Sequence, residues 1–366
     1  MWICCGLNSS KVHSRTYETR PPSKNLIVAD DDTELTVDVL SEISSKTDEW
    51  RYRKQNILSR DKDDKLDEIF LNNCEITKLP GSFSKLKNLR VINLSNNYLT
   101  RLPETFSDIS GLKLLSLNNN QLTSIANIPT SIEVLNLSGN HLDYVEGIGS
   151  FVSLTALNIG NCGLMELPEE IGMLVHLTFF ETSNNNIVNI PGKIGNLKRL
   201  KRLSLHSNNI SYLPDEFCDL VSLEWLSLHY NFIEVLPKDF GNLKDMQRLS
   251  LHFNRLQTLP DSMKYLNKMI VVSLFHNDLT HISMDMCETW TKCQKLAIYE
   301  NRLETLPDIT NMTDLKELWI YKNDISEYPD SLFEHPSLER LWISDKRNSL
   351  EMFRDRIRGN KKLTLI

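Results

Sequence analysis

A single pattern, L-x-x-L-x-L-x-x-N-x-L, recurs along this chain and leaves few architectures open to it. Its first position falls at Leu66, Leu89, Leu112, Ile132, Leu154, Leu177, Leu200, Leu223, Met246, Met269, Cys293, Leu315 and Leu338, thirteen copies separated by 20 to 24 residues and mostly by 23. A fixed period of that length is the signature of a solenoid. One unit buries too little apolar surface to stand alone, so neighbouring units must stack into a continuous core. The 366 residues therefore read as one repeat domain over 66–345 with flanking segments, although length alone would suggest two or three domains.

Within each copy, the stretch around x-L-x-L-x has the period-two alternation of a short strand, with leucines inward and the intervening residues outward. Successive strands then stack into a parallel sheet lining a concave side. The recurrent asparagine three residues after the last strand leucine (Asn97, Asn120, Asn140, Asn185, Asn208, Asn231, Asn254, Asn277, Asn301, Asn323) can satisfy backbone groups left unpaired where each strand ends. Cys74 and Cys162 occupy the same slot. The returning segments often begin Leu-Pro-acidic, as in Leu102-Pro103-Glu104 and Leu213-Pro214-Asp215, which suits a short helix on the convex side. The 20-residue unit with Ile128-Pro129-Thr130 is too short for one, which predicts an extended segment and a local change of curvature between Leu122 and Ile132. The fold class is α/β, a curved horseshoe with a parallel concave sheet and short helices or turns outside.

The ends read as caps. Leu35, Val39, Leu40, Ile43 and Trp50 fall at roughly helical spacing, so 33–65 is expected to shield the first repeat, behind a disordered tail over 1–32. Residues 346–366 form the opposite cap, with Leu350, Phe353 and Ile357 spaced for a helix and Leu363-Thr364-Leu365 repeating the strand pattern once more. A net charge of −7 argues against nucleic acid as the main partner. Seven scattered cysteines do not form paired capping clusters, and Asn93 and Asn136 stand in N-x-S sequons where a glycan would cover the inner face. The chain is therefore expected in the cytoplasm, as a monomer. Cys4 and Cys5, followed by Lys11, Arg15, Arg20 and Lys24, are candidate acylation sites that would add a peripheral membrane attachment.

Stretches such as Leu197-Lys-Arg-Leu-Lys-Arg-Leu-Ser-Leu-His-Ser-Asn-Asn-Ile-Ser-Tyr-Leu-Pro resemble the intracellular Ras-group leucine-rich repeat proteins, the Ras and phosphatase scaffolds of animals and their plant relatives. The resemblance implies a leucine-rich repeat solenoid acting as a non-enzymatic scaffold that holds a GTPase or phosphatase subunit on its concave face.

Since leucines and asparagines are committed to the scaffold, specificity has to reside in the outward positions. The residue after the last strand leucine is Asn72, Ser95, Asn118, Ser138, Gly160 and Ser183 in the first six copies, then His206, His229, His252, Phe275, Tyr299 and Tyr321. The next column switches at the same place, from asparagines to Tyr230, Phe253, His276, Glu300 and Lys322. Trp225, Trp319, Arg340 and Trp342 stand on neighbouring outward positions. Large rings and arginine contribute much contact area for little lost side-chain freedom, so these residues form the predicted protein-binding site. Seven strands make a ribbon roughly 30 Å by 13 Å, which suits a folded domain or an extended peptide better than a small molecule. A small GTPase or other signalling protein is the favoured partner, and a peptide or cytoskeletal component the alternative.

Other chemistries are weaker. No phosphate loop, H-E-x-x-H or G-x-S-x-G motif is present, and Ser204, Ser227, Ser250 and Ser273 beside the histidines are small spacers without an oxyanion hole, so no catalysis is expected. His206, His229 and His252 would stack, but no adjacent cysteine or carboxylate completes a metal shell, and no metal or cofactor is expected. Charging adjacent imidazoles would weaken binding between about pH 7 and 5.5.

Overall fold

The computed structural model describes residues 67–343 and, near the C-terminus, 353, 356, 357, 360 and 362–366. The expected tail, the helical cap over 33–65, Cys4 and Cys5, Ser344, Asp345 and Leu350 lie outside these residues. Fourteen strands, from β1 (Glu68–Phe70) to β14 (Thr364–Leu365), pair in strict chain order into one parallel sheet. Each contributes two or three residues, and equivalent positions of successive copies lie side by side, as in Leu203↔Leu226 and Leu226↔Leu249. This register follows from the fixed period, because a one-residue slip would turn every leucine out of the core.

Behind the sheet the leucines form ladders. Leu200, Leu203 and Leu205 of one copy are fully buried, as are Leu223, Leu226 and Leu228 of the next. Burial of one such side chain is worth about 1.5–3 kcal/mol. The asparagines join the copies. Asn97 donates from Nδ2 to Leu71 O (2.8 Å) and Leu94 O (2.9 Å), while its Oδ1 accepts from Cys74 N (3.0 Å) and Ile76 N (2.9 Å). One side chain thus closes the end of its own strand and that of the preceding copy. At the Cys162 slot the thiol donates to Leu137 O (3.3 Å), but no side-chain oxygen is present, and Leu142 N turns to Cys162 O instead (3.0 Å).

The return segments are the short helices or turns of the sequence reading, with turns in the majority. Most are 3₁₀ turns of three to five residues, and among the described residues only α1 (Met284–Thr289) and α2 (Asp330–Phe333) are α-helical. After a strand and its asparagine turn, a 23-residue unit leaves room for little more than one turn of helix. Neighbouring turns also press together: a Cβ on Gly195 would lie 2.4 Å from Glu216 O, and one on Gly241 1.9 Å from Ser262 O. Between β3 (Leu114–Ser116) and β4 (Val134–Asn136), where Pro129 stands, no helix forms. At the far end, β14 pairs with β13 (Arg340–Trp342), and Phe353 is buried against Tyr328 and Phe333 at ring separations of 5.5 and 5.6 Å.

Candidate functional site: an aromatic ladder on the sheet face

The site is carried by β7 (Arg202–Ser204), β8 (Trp225–Ser227), β9 (Arg248–Ser250), β10 (Val271–Ser273), β11 (Lys295–Ala297), β12 (Glu317–Trp319) and β13. In-register strands bring the residues that follow each last leucine to one repeat distance. His206, His229, His252, Phe275, Tyr299 and Tyr321 consequently stack face to face, with centroid separations of 4.4, 4.4, 4.2, 4.4 and 4.6 Å and interplanar angles of 8–13°. The result is an unbroken ladder of six rings, about 24 Å long at the usual strand spacing. Because the rings cover one another, they are half-buried rather than fully exposed.

A second column runs beside the first. Tyr230 stacks on Phe253 at 4.4 Å, and Phe253 meets His276 edge-on at 4.2 Å. Tyr230 also meets His229 edge-on at 5.5 Å, so the two columns interlock. The backbone of this second column is left-handed throughout: φ is +55° at Asn96, +56° at Asn119 and +54° at Asn184, and the same value of +54° recurs at Tyr230, Phe253, Glu300 and Lys322, with +57° at His276. Asparagine enters this region readily. Tyrosine, phenylalanine, glutamate and lysine do not, and pay about 1 kcal/mol or more each. The chain thus places a tyrosine and a phenylalanine where the backbone disfavours them.

Electrostatics vary along the ladder. His229 is pushed down to about 3 by burial and then by His252 and His206, and His252 is pushed down to about 4 by burial and then by His206. His206 is also lowered by burial, with Glu181 opposing. The His229 and His252 imidazoles therefore stay neutral well below pH 5.5, so the charging expected between pH 7 and 5.5 does not occur at these two rings in the folded chain. What titrates in that range is the unfolded chain, whose histidines bind protons near 6.5. The unfolded state then holds more protons, so stability is full above about 6.5 and falls as the pH drops toward 4. Denaturant unfolding at pH 7.5 and 5.0 is expected to show a loss of about 2 kcal/mol for each of His229 and His252 in the native chain. A His229→Gln, His252→Gln variant that loses as much would contradict it.

Toward β13 the charges are compensated. Glu317 is buried between Lys295 (3.2 Å) and Arg340, and Glu300 pairs with Lys322 and lies 3.8 Å from His276. Trp319 and Trp342 stack at 4.4 Å, with Arg340 6.0 Å above the Trp342 ring. Ser227 Oγ hydrogen-bonds His229 Nδ1 (2.7 Å), whereas Ser204 Oγ and His252 Nδ1 are buried with no hydrogen-bond partner among the described residues.

Comparison with known proteins fits this geometry. A leucine-rich repeat region model matches residues 131–231, and leucine-rich repeat models match 64–122 and 222–243. This chain is a leucine-rich repeat solenoid. A leucine-rich repeat protein of Leptospira interrogans superposes with a TM-score of 0.71 at 24% identity, covering 95% of this chain and 100% of that one. An internalin of Listeria monocytogenes gives 0.71 at 18% identity, covering 92% and 94%. A plant peptide hormone receptor in complex with RGF2 gives 0.67 at 24% identity, over 79% of this chain and 49% of that one. No curated protein sequence matches.

Within the leucine-rich repeat frame, every described residue of the predicted site lies on the sheet face. The ladder gathers His206, His229, His252, Phe275, Tyr299 and Tyr321; the left-handed column gathers Tyr230, Phe253, His276, Glu300 and Lys322; and Trp225, Trp319, Arg340 and Trp342 flank them. Three residues were missed by the sequence reading. Arg202 and Arg248 stand in register on either side of Trp225, and Lys295 holds Glu317. The signal for them was their shared position with Trp225, the first outward residue of each strand.

Proposed function

We propose that this leucine-rich repeat chain is a non-enzymatic binding scaffold whose partner, a signalling protein with the small GTPase favoured, docks on the C-terminal half of the sheet face. The observation that carries this reading is the six-ring ladder, backed by a column in which Tyr230 and Phe253 hold a left-handed backbone that asparagine holds elsewhere. Duplication can copy a ring from repeat to repeat, but it supplies no gain to offset strain at each copy. Leucine-rich repeat domains are generally protein-binding, and the choice of a GTPase rests on the resemblance to the Ras-group scaffolds. A structural adaptor is the second reading, favoured by the narrowness of the ladder, which one extended segment could cover.

A pull-down with GTP- and GDP-loaded GTPases separates the two, since a GTPase scaffold is expected to prefer the GTP-loaded form. Run in parallel, the Trp225→Ala, Tyr230→Ala, Phe275→Ala, Tyr321→Ala variant is expected to lose the partner. Equal retention by both proteins would place the binding face elsewhere.

A further inference from the structure

Charges on the sheet face are matched from β11 onward, through Lys295, Glu317 and Arg340 and through Glu300 and Lys322. Over β7 to β9 they are not. Arg202 and Arg248 flank Trp225 in register, and neither has an ion pair among the described residues. The nearest carboxylates are engaged: Glu181 accepts from Ser183 N (3.0 Å), and Glu224 pairs with Lys201 (2.9 Å). Beside the arginines, His206 Nδ1 bonds Ser207 Oγ (3.1 Å), His229 Nδ1 bonds Ser227 Oγ (2.7 Å), and His252 Nδ1 is buried. In a chain of net charge −7, this stretch offers two guanidinium forks without an ion pair among the described residues, beside imidazoles of which His206 faces the carboxylate of Glu181.

We propose that Arg202, Arg248 and the imidazoles of His206, His229 and His252 seat the acidic end of an extended partner segment, whose apolar remainder runs along Phe275, Tyr299 and Tyr321. The proposal rests on the docking face argued above and names the chemistry that face recognises. Two strand spacings part the arginines by about 10 Å, so their side chains can close from both sides on carboxylates lying over Trp225. Guanidinium suits this role because its planar fork bonds a carboxylate in bidentate fashion. At His206 and His229 a neutral imidazole whose Nδ1 accepts from the serine hydroxyl carries its proton on Nε2 and can donate it to a carboxylate. From β8 to β12 the face spans roughly 19 Å, enough for about six extended residues.

Fluorescence anisotropy on the full chain tests this with three labelled peptides: an Asp-Glu-Asp head followed by alternating Leu and Ser, the same tail after Asn-Gln-Asn, and the same tail after three lysines. The acidic peptide is expected to bind at least about tenfold more tightly than the amide peptide, and more weakly as salt rises. An Arg202→Gln, Arg248→Gln variant should lose that preference while its melting temperature and its affinity for the amide peptide stay unchanged. Equal binding of acidic and amide peptides, a preference that survives in the variant, no binding of any peptide, or capture of anionic vesicles in place of the peptide would each overturn the proposal. The ladder reading fails separately, when the four-residue aromatic variant retains the partner.

Discussion

Replacing Asn231 by alanine is expected to cost the solenoid about 4 kcal/mol. The side chain donates to Leu205 O (3.0 Å) and Leu228 O (2.9 Å) and accepts from Ile210 N (3.0 Å), all inside the core. Alanine leaves Ile210 N unpaired, at about 1–3 kcal/mol, and takes one of two donors from Leu205 O and Leu228 O, which keep Asn208 and Asn254, at about 0.5–1.5 kcal/mol each. The loss is a large fraction of the roughly 5–15 kcal/mol that holds an ordinary domain together. Because each copy touches only its neighbours, the damage concentrates at the junction of two repeats and should broaden the unfolding transition as well as shift it. Asn231→Cys should cost about half as much, since Cys162 shows that a thiol keeps one of the donations and the backbone finds another acceptor. Asn209, exposed and one position past Asn208, the equivalent asparagine of the preceding copy, gives the control, with an alanine there expected within about 0.5 kcal/mol of the native chain. Urea unfolding of the three variants decides it. A loss below about 1 kcal/mol for Asn231→Ala would show that the asparagine ladder is not the clamp its geometry implies.

The same asparagines explain why so much of the fold was legible. A leucine or asparagine at a fixed place in a 23-residue period sits in the same environment in every copy, so Leu203 and Asn208 could be assigned from their neighbours in sequence. The break in the outward columns at His206 and Tyr230 was legible for the same reason. Burial was not. Whether His229 is exposed depends on rings 4.4 Å away on either side, and that separation exists only once strands are in register. Its protonation follows from that burial, so His229 and His252, part of a column that looked like a switch near neutral pH, stay neutral far below it. Arg202 and Arg248 escaped notice because an arginine in a strand ordinarily reads as a solvated face. What distinguishes them is that neither has an ion pair among the described residues, visible only when the copies are laid side by side. The return segments were read as short helices or turns because proline and acidic residues open both.

The left-handed column supplies the second large effect, a separation of binding from stability. Tyr230→Asn and Phe253→Asn restore the residue that the same position carries in Asn96, Asn119 and Asn184. Relief of strain is worth about 1 kcal/mol per residue, and the lost Tyr230–Phe253 stack costs about 0.5–1.5 kcal/mol. These offset, so the double variant should unfold within about 1 kcal/mol of the native chain, whereas alanine at the same places keeps the unfavourable backbone and should fall below it. Binding has no such compensation. Tyr230 is exposed on the docking face, and removing it together with Phe253 should weaken the partner about a hundredfold, the effect of two strong interface residues. The measurement pairs denaturant unfolding with titration of the partner captured by the native chain. If the asparagine variant binds as tightly as the native protein, the strained rings answer to no partner and are relics of repeat duplication. If it is both weaker in binding and unimpaired in stability, the cost carried by this column is explained by what it holds.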